Sequence, residues 1–348
     1  MADQQFPLST PFDVRRGLTD PNDTAFPLRW GILGAGNVSR QFALSLKSVK
    51  GASITAVAAR EQARADAFAA NLGIAKALDS YESMVADPDV DIVYVGTKTW
   101  LHKEHSILGL NAGKHVLCEK PLASNSDEAT EMYAVAKAQD VMLLDGMWTR
   151  FFPAVEHART LIEQGAIGEP LMVHADFFDP IYVIQAAPLA FGIEALPTTI
   201  TTAGRAASAA VLDYDGKRAA LLSFPPFNSE LPEVTEIFGT QGRISLGRPG
   251  HCPTDITLHS PPIGQVPSQY RTGNVPAPAQ RFHYPLPANV SIPSPFPNQH
   301  GFLYMAEAVH RCLGAGLKEC PQYSEAESMH CMDILTEIMR QKAAAAKN

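Results

Sequence analysis

Arg29-Trp30-Gly31-Ile32-Leu33-Gly34-Ala35-Gly36-Asn37-Val38-Ser39 is the stretch that decides the fold of this 348-residue chain. Arg29 to Leu33 form a run of strand length, and a segment with apolar residues at helical spacing comes next, so Gly34 and Gly36 stand where a strand turns into a helix. There a backbone without side chains can turn tightly and approach a pyrophosphate at the positive end of the helix. A bare G-x-G is a weak signal by itself. Ser39 replaces the third glycine of the usual fingerprint, and it is small enough to keep strand and helix close.

Repetition of the same strand-then-helix pattern downstream gives the turn its weight. Ser53 to Ala59, Val90 to Gly96, His115 to Glu119 and Val141 to Asp145 are further strand candidates, mostly apolar throughout, as strands covered on both faces should be. Between the strands lie Val38 to Val49, Glu61 to Leu72, Lys103 to Ala112 and Asn125 to Gln139, each with helical periodicity. Right-handed crossovers between such units predict an α/β domain over residues 28–152, a Rossmann-type doubly wound parallel sheet.

After Trp148 the period changes. Leu171 to Phe178, Ser208 to Tyr214, Arg218 to Phe224 and Glu233 to Gly239 alternate as strands with few helices between them. An α+β domain with a largely antiparallel open sheet is expected over residues 153–348, closed by two C-terminal helices. Twelve of the 27 prolines fall between Pro249 and Pro297, which predicts a long surface loop. Ser324 and Glu327 have capping-box spacing at the start of the last helix. Residues 1–27 show no sustained period and read as a flexible leader, and the final Lys342 to Asn348 as a frayed end.

Composition narrows the function. A formal charge of −8 gives no electrostatic reason to meet nucleic acid or an anionic membrane surface. Neither a bilayer-length apolar run nor a signal-peptide pattern is visible, so a cytoplasmic protein is expected. Five cysteines are scattered without a C-x-x-C spacing, which predicts reduced thiols and no metal; His330 beside Cys331 points about 100° away from it on a helix.

Two side chains carry the chemistry. Arg60 ends the second strand where an NAD site usually places Asp or Glu, and a guanidinium there holds a ribose 2′-phosphate that a carboxylate would repel, so NADP is favoured over NAD. A solvated arginine at a strand end is the plain alternative. Lys120, in Cys118-Glu119-Lys120-Pro121, ends the fourth candidate strand on the edge where ligands bind, and its ammonium there can hold a substrate hydroxyl. Asn37, Val38, Thr97 and Glu119 complete the expected cofactor-binding set with Gly34, Gly36, Arg60 and Lys120. His102 and His105, after the third strand, are open to a pocket role or to simple loop packing, as are Lys98 and Trp100. Trp148 and Arg150, with Phe151 beside them, stand where the two domains join and are open to substrate contacts or to holding the hinge, with packing favoured for the two aromatics; Asp145 has no visible partner and is given no catalytic role.

Through Gly31 to Asn37, Tyr94 to Thr97, Cys118 to Pro121 and Trp148 to Pro153, the chain resembles the Gfo/Idh/MocA oxidoreductases from about Leu28 to its C-terminal helices. It looks particularly like the branch of dimeric dihydrodiol dehydrogenases and NADP-dependent D-xylose dehydrogenases. The resemblance implies NADP as cofactor, a homodimer, a catalytic role for Lys120, and an acid/base role for Tyr182 in Ile181 to Gly192. It implies oxidation of a sugar hydroxyl, D-xylose to its lactone, or of a trans-dihydrodiol, with Lys120 lowering the pKa of Tyr182. One departure stands out. Phe177-Phe178-Asp179-Pro180 runs straight into Ile181, where the family carries a glycine-rich turn, so roughly 20–30 residues are missing by comparison. Asp179 stands three rather than four positions before Tyr182, and a shorter gap falls near Gly204 to Ser208. The family also contains regulators that bind the dinucleotide and then a protein partner, so a catalytically impaired NADP-binding homologue is the alternative.

Overall fold

The computed structural model describes residues 26–203, 209–225, 230–260, 279–287 and 296–345. Residues 1–25 of the expected leader, the gap near Gly204 to Ser208, much of the proline-rich stretch and the last three residues lie outside the described residues. The chain forms two compact units. One runs to Phe152 and takes in Leu286–Thr336; the other comprises Pro153–Pro285 and the residues from Glu337 onward.

The first unit alternates strictly: β1 (Leu28–Leu33), α1 (Asn37–Leu46), β2 (Ala52–Ala58), α2 (Gln62–Leu72), β3 (Lys76–Leu78), α3 (Tyr81–Val85), β4 (Ile92–Val95), α4 (His102–Asn111), β5 (His115–Glu119), α5 (Ser126–Ala138) and β6 (Leu143–Gly146). Its strands form one sheet in the order β3-β2-β1-β4-β5-β6, with every pair parallel. This is the doubly wound Rossmann order, in which the chain reverses direction of winding between β1 and β4. The five strands and four helices expected over this region are present. The added β3 is a half-buried edge strand of three residues, too short to show any period. Central strand β4 is buried along its whole length, which is why its sequence is apolar without alternation, and the edge strand β6 is buried as well, Asp145 included.

The second unit contains α6 (Pro153–Glu163), β7 (Pro170–Asp176), α7 (Pro180–Ile184), α8 (Ala186–Phe191), β8 (Thr199–Ala203), β9 (Ala209–Tyr214), β10 (Arg218–Ser223), β11 (Thr235–Gly239), β12 (Gly242–Leu246), β13 (Asp255–His259) and β14 (Gln280–His283). The sheet order is β14-β13-β12-β11-β7-β10-β9-β8, antiparallel except for the β7–β10 pair. The proline-rich stretch, expected to be a long surface loop, holds two strands, β13 and β14, and neither contains a proline, so the ladder between them is not interrupted. Helices α6, α7 and α8 pack on β12 and β13, β10 and β7 respectively. On the outward side Val211 and Leu221 are exposed and face each other across β9 and β10, with exposed His174 opposite Leu221 on β7.

The chain then returns to the first unit through α9 (Phe302–Gly314) and the larger part of α10 (Glu325–Ala345). A boundary at residues 152/153 assigns this segment to the second domain, and burial explains the difference. From Phe302 to Leu313 every residue of α9 is buried, and Phe302 stacks on Trp148 at 4.5 Å and meets Phe42 of α1 edge-on. A helix apolar on nearly all sides needs cover on all sides. Its polar residues are paired. His310 Nε2 accepts from Trp30 Nε1 at 3.1 Å, so Nδ1 carries the proton and donates to the Phe26 carbonyl at 2.7 Å. That is the neutral tautomer, and burial lowers the His310 pKa in the same direction.

At the start of α10 the expected capping box is formed. Ser324 Oγ accepts from the Glu327 amide at 3.3 Å while Glu327 Oε2 accepts from the Ser324 amide at 3.2 Å. The other oxygen of Glu327 pairs with fully buried Arg150, whose guanidinium also lies over the Tyr323 ring. Removing the carboxylate takes the charge partner from a buried cation and the acceptor from a cap amide together. Glu327→Ala is therefore expected to lower the unfolding free energy by about 3–5 kcal/mol in urea denaturation. Glu327→Gln, which keeps an acceptor for the cap but not the charge, is expected to fall between it and the wild type.

Candidate active site

The loops that leave β1, β2, β4 and β5 at their carboxyl ends line a single cleft of about 390 Å³ in the first unit. Gly34, Gly36, Asn37, Val38, Arg60, Thr97, His102, Glu119 and Lys120, spread over 87 positions of sequence from first to last, are brought together on its walls. Open α/β sheets place ligands at this edge, beside the point where the strand order reverses.

The glycine turn forms for reasons that differ from residue to residue. Gly34 has φ +103°, and a Cβ there would meet Thr97 Cγ2 at 3.0 Å and the Gly96 carbonyl oxygen at 3.1 Å. A Cβ at Gly96 would sit 2.2 Å from Ser39 Oγ, so the loop after β4 lies directly against the start of α1. Gly36 is different. Its φ of −95° suits any residue and a Cβ would meet nothing closer than 3.8 Å. The protein itself does not require a glycine there, and the space faces the first turn of α1, which has neither a side-chain cap nor an acidic residue. Open room above uncapped helix N–H groups fits the pyrophosphate of a dinucleotide.

One end of the cleft is cationic. Arg60 projects into solvent after β2, and Arg64, on the first turn of α2, donates from its guanidinium to the Ala35 carbonyl at 3.3 Å. Burial raises the Tyr81 phenol pKa, and Arg60 and Arg64 both pull it down, so the two guanidiniums share one neighbourhood. Tyr81 meets His105 edge-on at 4.6 Å, and His105 Nδ1 lies 3.0 Å from Thr97 Oγ1. Two cations beside the end of β2 fit a ribose 2′-phosphate.

The Glu119-Lys120 turn forms the other end. Glu119 is buried, taking a hydrogen bond from the Tyr94 hydroxyl at 2.6 Å and from the Lys120 amide at 3.2 Å. Tyr94 is itself locked by stacking on Phe42 at 4.0 Å. The Lys120–Pro121 peptide is cis. His102 is buried with Nδ1 2.9 Å from the Pro121 carbonyl and Nε2 3.3 Å from the Thr97 carbonyl. Burial lowers its pKa toward the neutral form, in which its one ring N–H donates to one of these two carbonyls, and His102 stays on the wall of the cleft.

Trp148 and Arg150 do not reach the cleft. Both are fully buried in the first unit, Trp148 packed against Phe302 and Phe152 and Arg150 paired with Glu327. Tyr182 belongs to the second unit, on α7, whose N-terminus is capped by the Asp179 carboxylate accepting from the Ile181 amide at 3.3 Å. Only Phe177, Phe178 and Asp179 separate β7 from α7, which leaves no room for a glycine-rich turn. Tyr182 is buried among rings, edge-on to Phe177 at 5.2 Å and to His251 at 5.4 Å.

Sequence reasoning did not single out Arg64, Tyr81 or His251. Arg64 stands one helical turn after Arg60, and that spacing was the available signal. Nothing in sequence links Tyr81 or His251 to their neighbours. Among the described residues no three His, Cys, Asp or Glu side chains gather as a metal would need, and no helix is long and apolar enough to cross a membrane.

Residues 28–147 match the Gfo/Idh/MocA family, described as an oxidoreductase family with an NAD-binding Rossmann fold. A trans-1,2-dihydrobenzene-1,2-diol dehydrogenase of Danio rerio is 36% identical over 343 residues, taking in 90% of this chain and 96% of the relative. The enzyme of that name from Xenopus laevis is 33% identical over 342 residues, with 90% and 97% covered. A crystal structure of a 3-ketoreductase from Actinomadura kijaniata in complex with NADP has a TM-score of 0.71 at 23% identity, covering 90% of this chain and 97% of that one. At that identity it speaks to the fold alone.

The contrast between the glycines is testable. Gly96→Ala must displace Ser39 and is expected to cost about 1–3 kcal/mol of stability without any ligand. Gly36→Ala should cost less than about 1 kcal/mol, the difference between the two residues as helix caps. In titrations with dinucleotide, Gly36→Ala is nevertheless expected to weaken binding at least about tenfold. Unchanged affinity there would remove the pyrophosphate from this turn.

Proposed function

The chain belongs to the Gfo/Idh/MocA oxidoreductases, and from that premise we propose that it is an NADP-dependent dehydrogenase acting on a CH–OH group, a trans-dihydrodiol or the hydroxyl of a sugar such as D-xylose. The observation that carries the reading is one cleft with two guanidiniums at one end and Lys120 at the other, joined by an uncapped helix start. Arg60 and Arg64 would hold the 2′-phosphate, Gly36 and the first turn of α1 the pyrophosphate, and Thr97 and Glu119 the walls toward the nicotinamide. Bound nicotinamide supplies a hydride acceptor. Dihydrodiol relatives at 36% and 33% identity favour the diol over the sugar.

In this reading Lys120 donates a charge-assisted hydrogen bond to the substrate oxygen and favours its deprotonated form. Tyr182 in its phenolate form would take the hydroxyl proton and become the neutral phenol, while bound nicotinamide would supply the acceptor for the hydride that leaves the same carbon, so that the alcohol becomes the carbonyl compound. Glu119 acts through the backbone, fixing the Lys120 amide while Tyr94 fixes Glu119. A homodimer through the outward face of the second unit's sheet, where Val211 and Leu221 are exposed side by side, belongs to the same proposal, as does a cytoplasmic location.

One observation favours a second reading. The three-residue connection before α7 replaces a longer segment next to the proposed acid/base, which suits a cofactor-binding homologue without turnover. Reduction of NADP with trans-dihydrodiols, D-xylose and D-glucose, run beside a binding titration, separates the two. Turnover is expected, falling at least about 100-fold in Lys120→Met and in Tyr182→Phe. Tight NADP binding with no turnover selects the second reading. Arg60→Ala and Arg64→Ala are each expected to weaken NADP by about tenfold while sparing NAD. Sedimentation as a concentration-independent monomer would remove the dimer.

A further inference from the structure

Asp145 lies at the end of β6, where register sets it opposite Cys118 and sets Gly146 opposite Glu119, one residue before Lys120. The two strands touch there. A Cβ on Gly146 would come within 2.7 Å of the Cys118 carbonyl oxygen, so no side chain separates the end of β6 from the Glu119-Lys120 turn. The Asp145 side chain is wholly buried. Its Oδ2 accepts from Ser328 Oγ at 2.8 Å, one residue past the capping box of α10, and its Oδ1 has no hydrogen-bond partner among the described residues. A carboxylate held by a single hydroxyl in a dry interior is costly, whereas a carboxylic acid in the same place is not.

We propose that Asp145 is a positioning residue of the reaction centre, a buried carboxyl behind the Glu119-Lys120 turn whose own proton sets the charge that Lys120 experiences. The inference rests on the reading of Lys120 as the group that holds the substrate oxygen. Burial pushes the Asp145 carboxyl up to about 7; Ser328 pulls it down, Glu119 pushes it up and Lys120 pulls it down. The other titratable groups around it are Cys118 of β5, Tyr133 of α5, Tyr323, and Cys331 of α10, all of which burial holds in their neutral forms. The charged forms facing Asp145 are therefore those of the turn itself.

Coupling between two sites is reciprocal: if the Lys120 ammonium stabilises the Asp145 carboxylate, the carboxylate stabilises the ammonium to the same extent. With Asp145 protonated, Lys120 loses that support. With Asp145 ionised, the ammonium is held in its charged form, but the carboxylate offsets part of its field, so a substrate oxygen beside it is harder to deprotonate. The full field of Lys120 is therefore felt with Asp145 protonated and weakens as pH rises through neutrality. The fold's contribution runs in the same direction: a carboxyl whose folded pKa lies above its unfolded value binds its proton more tightly when folded, so its contribution to stability falls between about pH 4 and about pH 7. Asp145→Asn copies the protonated form and is expected to fold.

Infrared difference titration of the full chain between about pH 5 and about pH 9 tests the coupling without any need for turnover. Burial raises the Glu307 carboxyl to about 7 as well, so two protonated carboxyl bands are expected to be lost near neutrality in the wild type, and the one that disappears from the difference spectrum of Asp145→Asn is that of Asp145. Its midpoint is expected to rise by about half a pH unit or more in Lys120→Met, which removes the neighbouring cation, and also in Ser328→Ala, which removes the hydroxyl. A midpoint that does not move in Lys120→Met overturns the proposal, as does a carboxyl already ionised at the acid end. In the dehydrogenase assay the pH profile of kcat/KM is expected to lose its inflection near neutrality in Asp145→Asn; a profile that superimposes on the wild type also overturns it. If the infrared shifts appear and no substrate is turned over, the dehydrogenase reading fails while the Asp145–Lys120 coupling stands.

Discussion

The candidate site depends on one close approach, that of the loop after β4 to the start of α1. Gly96 lies so near Ser39 that no Cβ fits between them, and Gly34 turns with a positive φ against Thr97 and the Gly96 carbonyl. Tight apposition at this point lets the first helix start immediately above the sheet edge, with its N–H groups turned toward the cleft. It also carries Thr97 and His102 alongside the Glu119-Lys120 turn, where His102 Nδ1 lies 2.9 Å from the Pro121 carbonyl. A larger residue in place of Ser39 would separate the helix from the strand and dissolve the cleft from its centre.

Around that contact the first unit uses buried polar groups as fasteners, and each is matched by a partner far away in sequence. Tyr94 reaches Glu119, Trp30 reaches His310, Ser328 reaches Asp145 and Arg150 reaches Glu327. Such pairs add little net stability over well-packed apolar residues, but a wrong pairing leaves charges or donors stranded in the interior. They therefore select one arrangement of the C-terminal segment on the sheet. The same logic explains why Trp148 and Arg150, which stand at the end of the first unit's strand series like site residues, face inward: one is needed to cover α9 and the other to hold the capping box of α10.

The second unit joins its proposed acid/base to the sheet by the shortest possible route. Three residues lead from β7 into α7, and Tyr182 packs edge-on against both Phe177 and His251 rather than standing on an open loop. Those two rings are stacked on each other at 4.2 Å, with His251 Nε2 3.3 Å from Cys252 Sγ. An aromatic already packed against a stacked pair loses little further freedom when a ligand arrives, so a shortened segment does not by itself imply a loose one.

Much of this was legible in the chain itself. Strand-length apolar runs alternating with helical periods dictate a doubly wound sheet, because only a parallel sheet covered on both faces accommodates them, and Gly34, Gly36, Arg60 and Lys120 at successive strand ends mark its ligand edge. The capping box at Ser324 was equally plain, since it is written within four residues. What only the tertiary structure decided are relations between positions distant in sequence: the return of α9 and α10 to the first unit, the strand at Asp255–His259 within the proline-rich stretch, and the inward turn of Trp148 and Arg150. Asp145 shows the reason most clearly. As a letter in the sequence it is one acidic residue at a strand end, and its character comes from burial and from Ser328 and Lys120, neighbours that local pattern cannot supply because the fold alone brings them together.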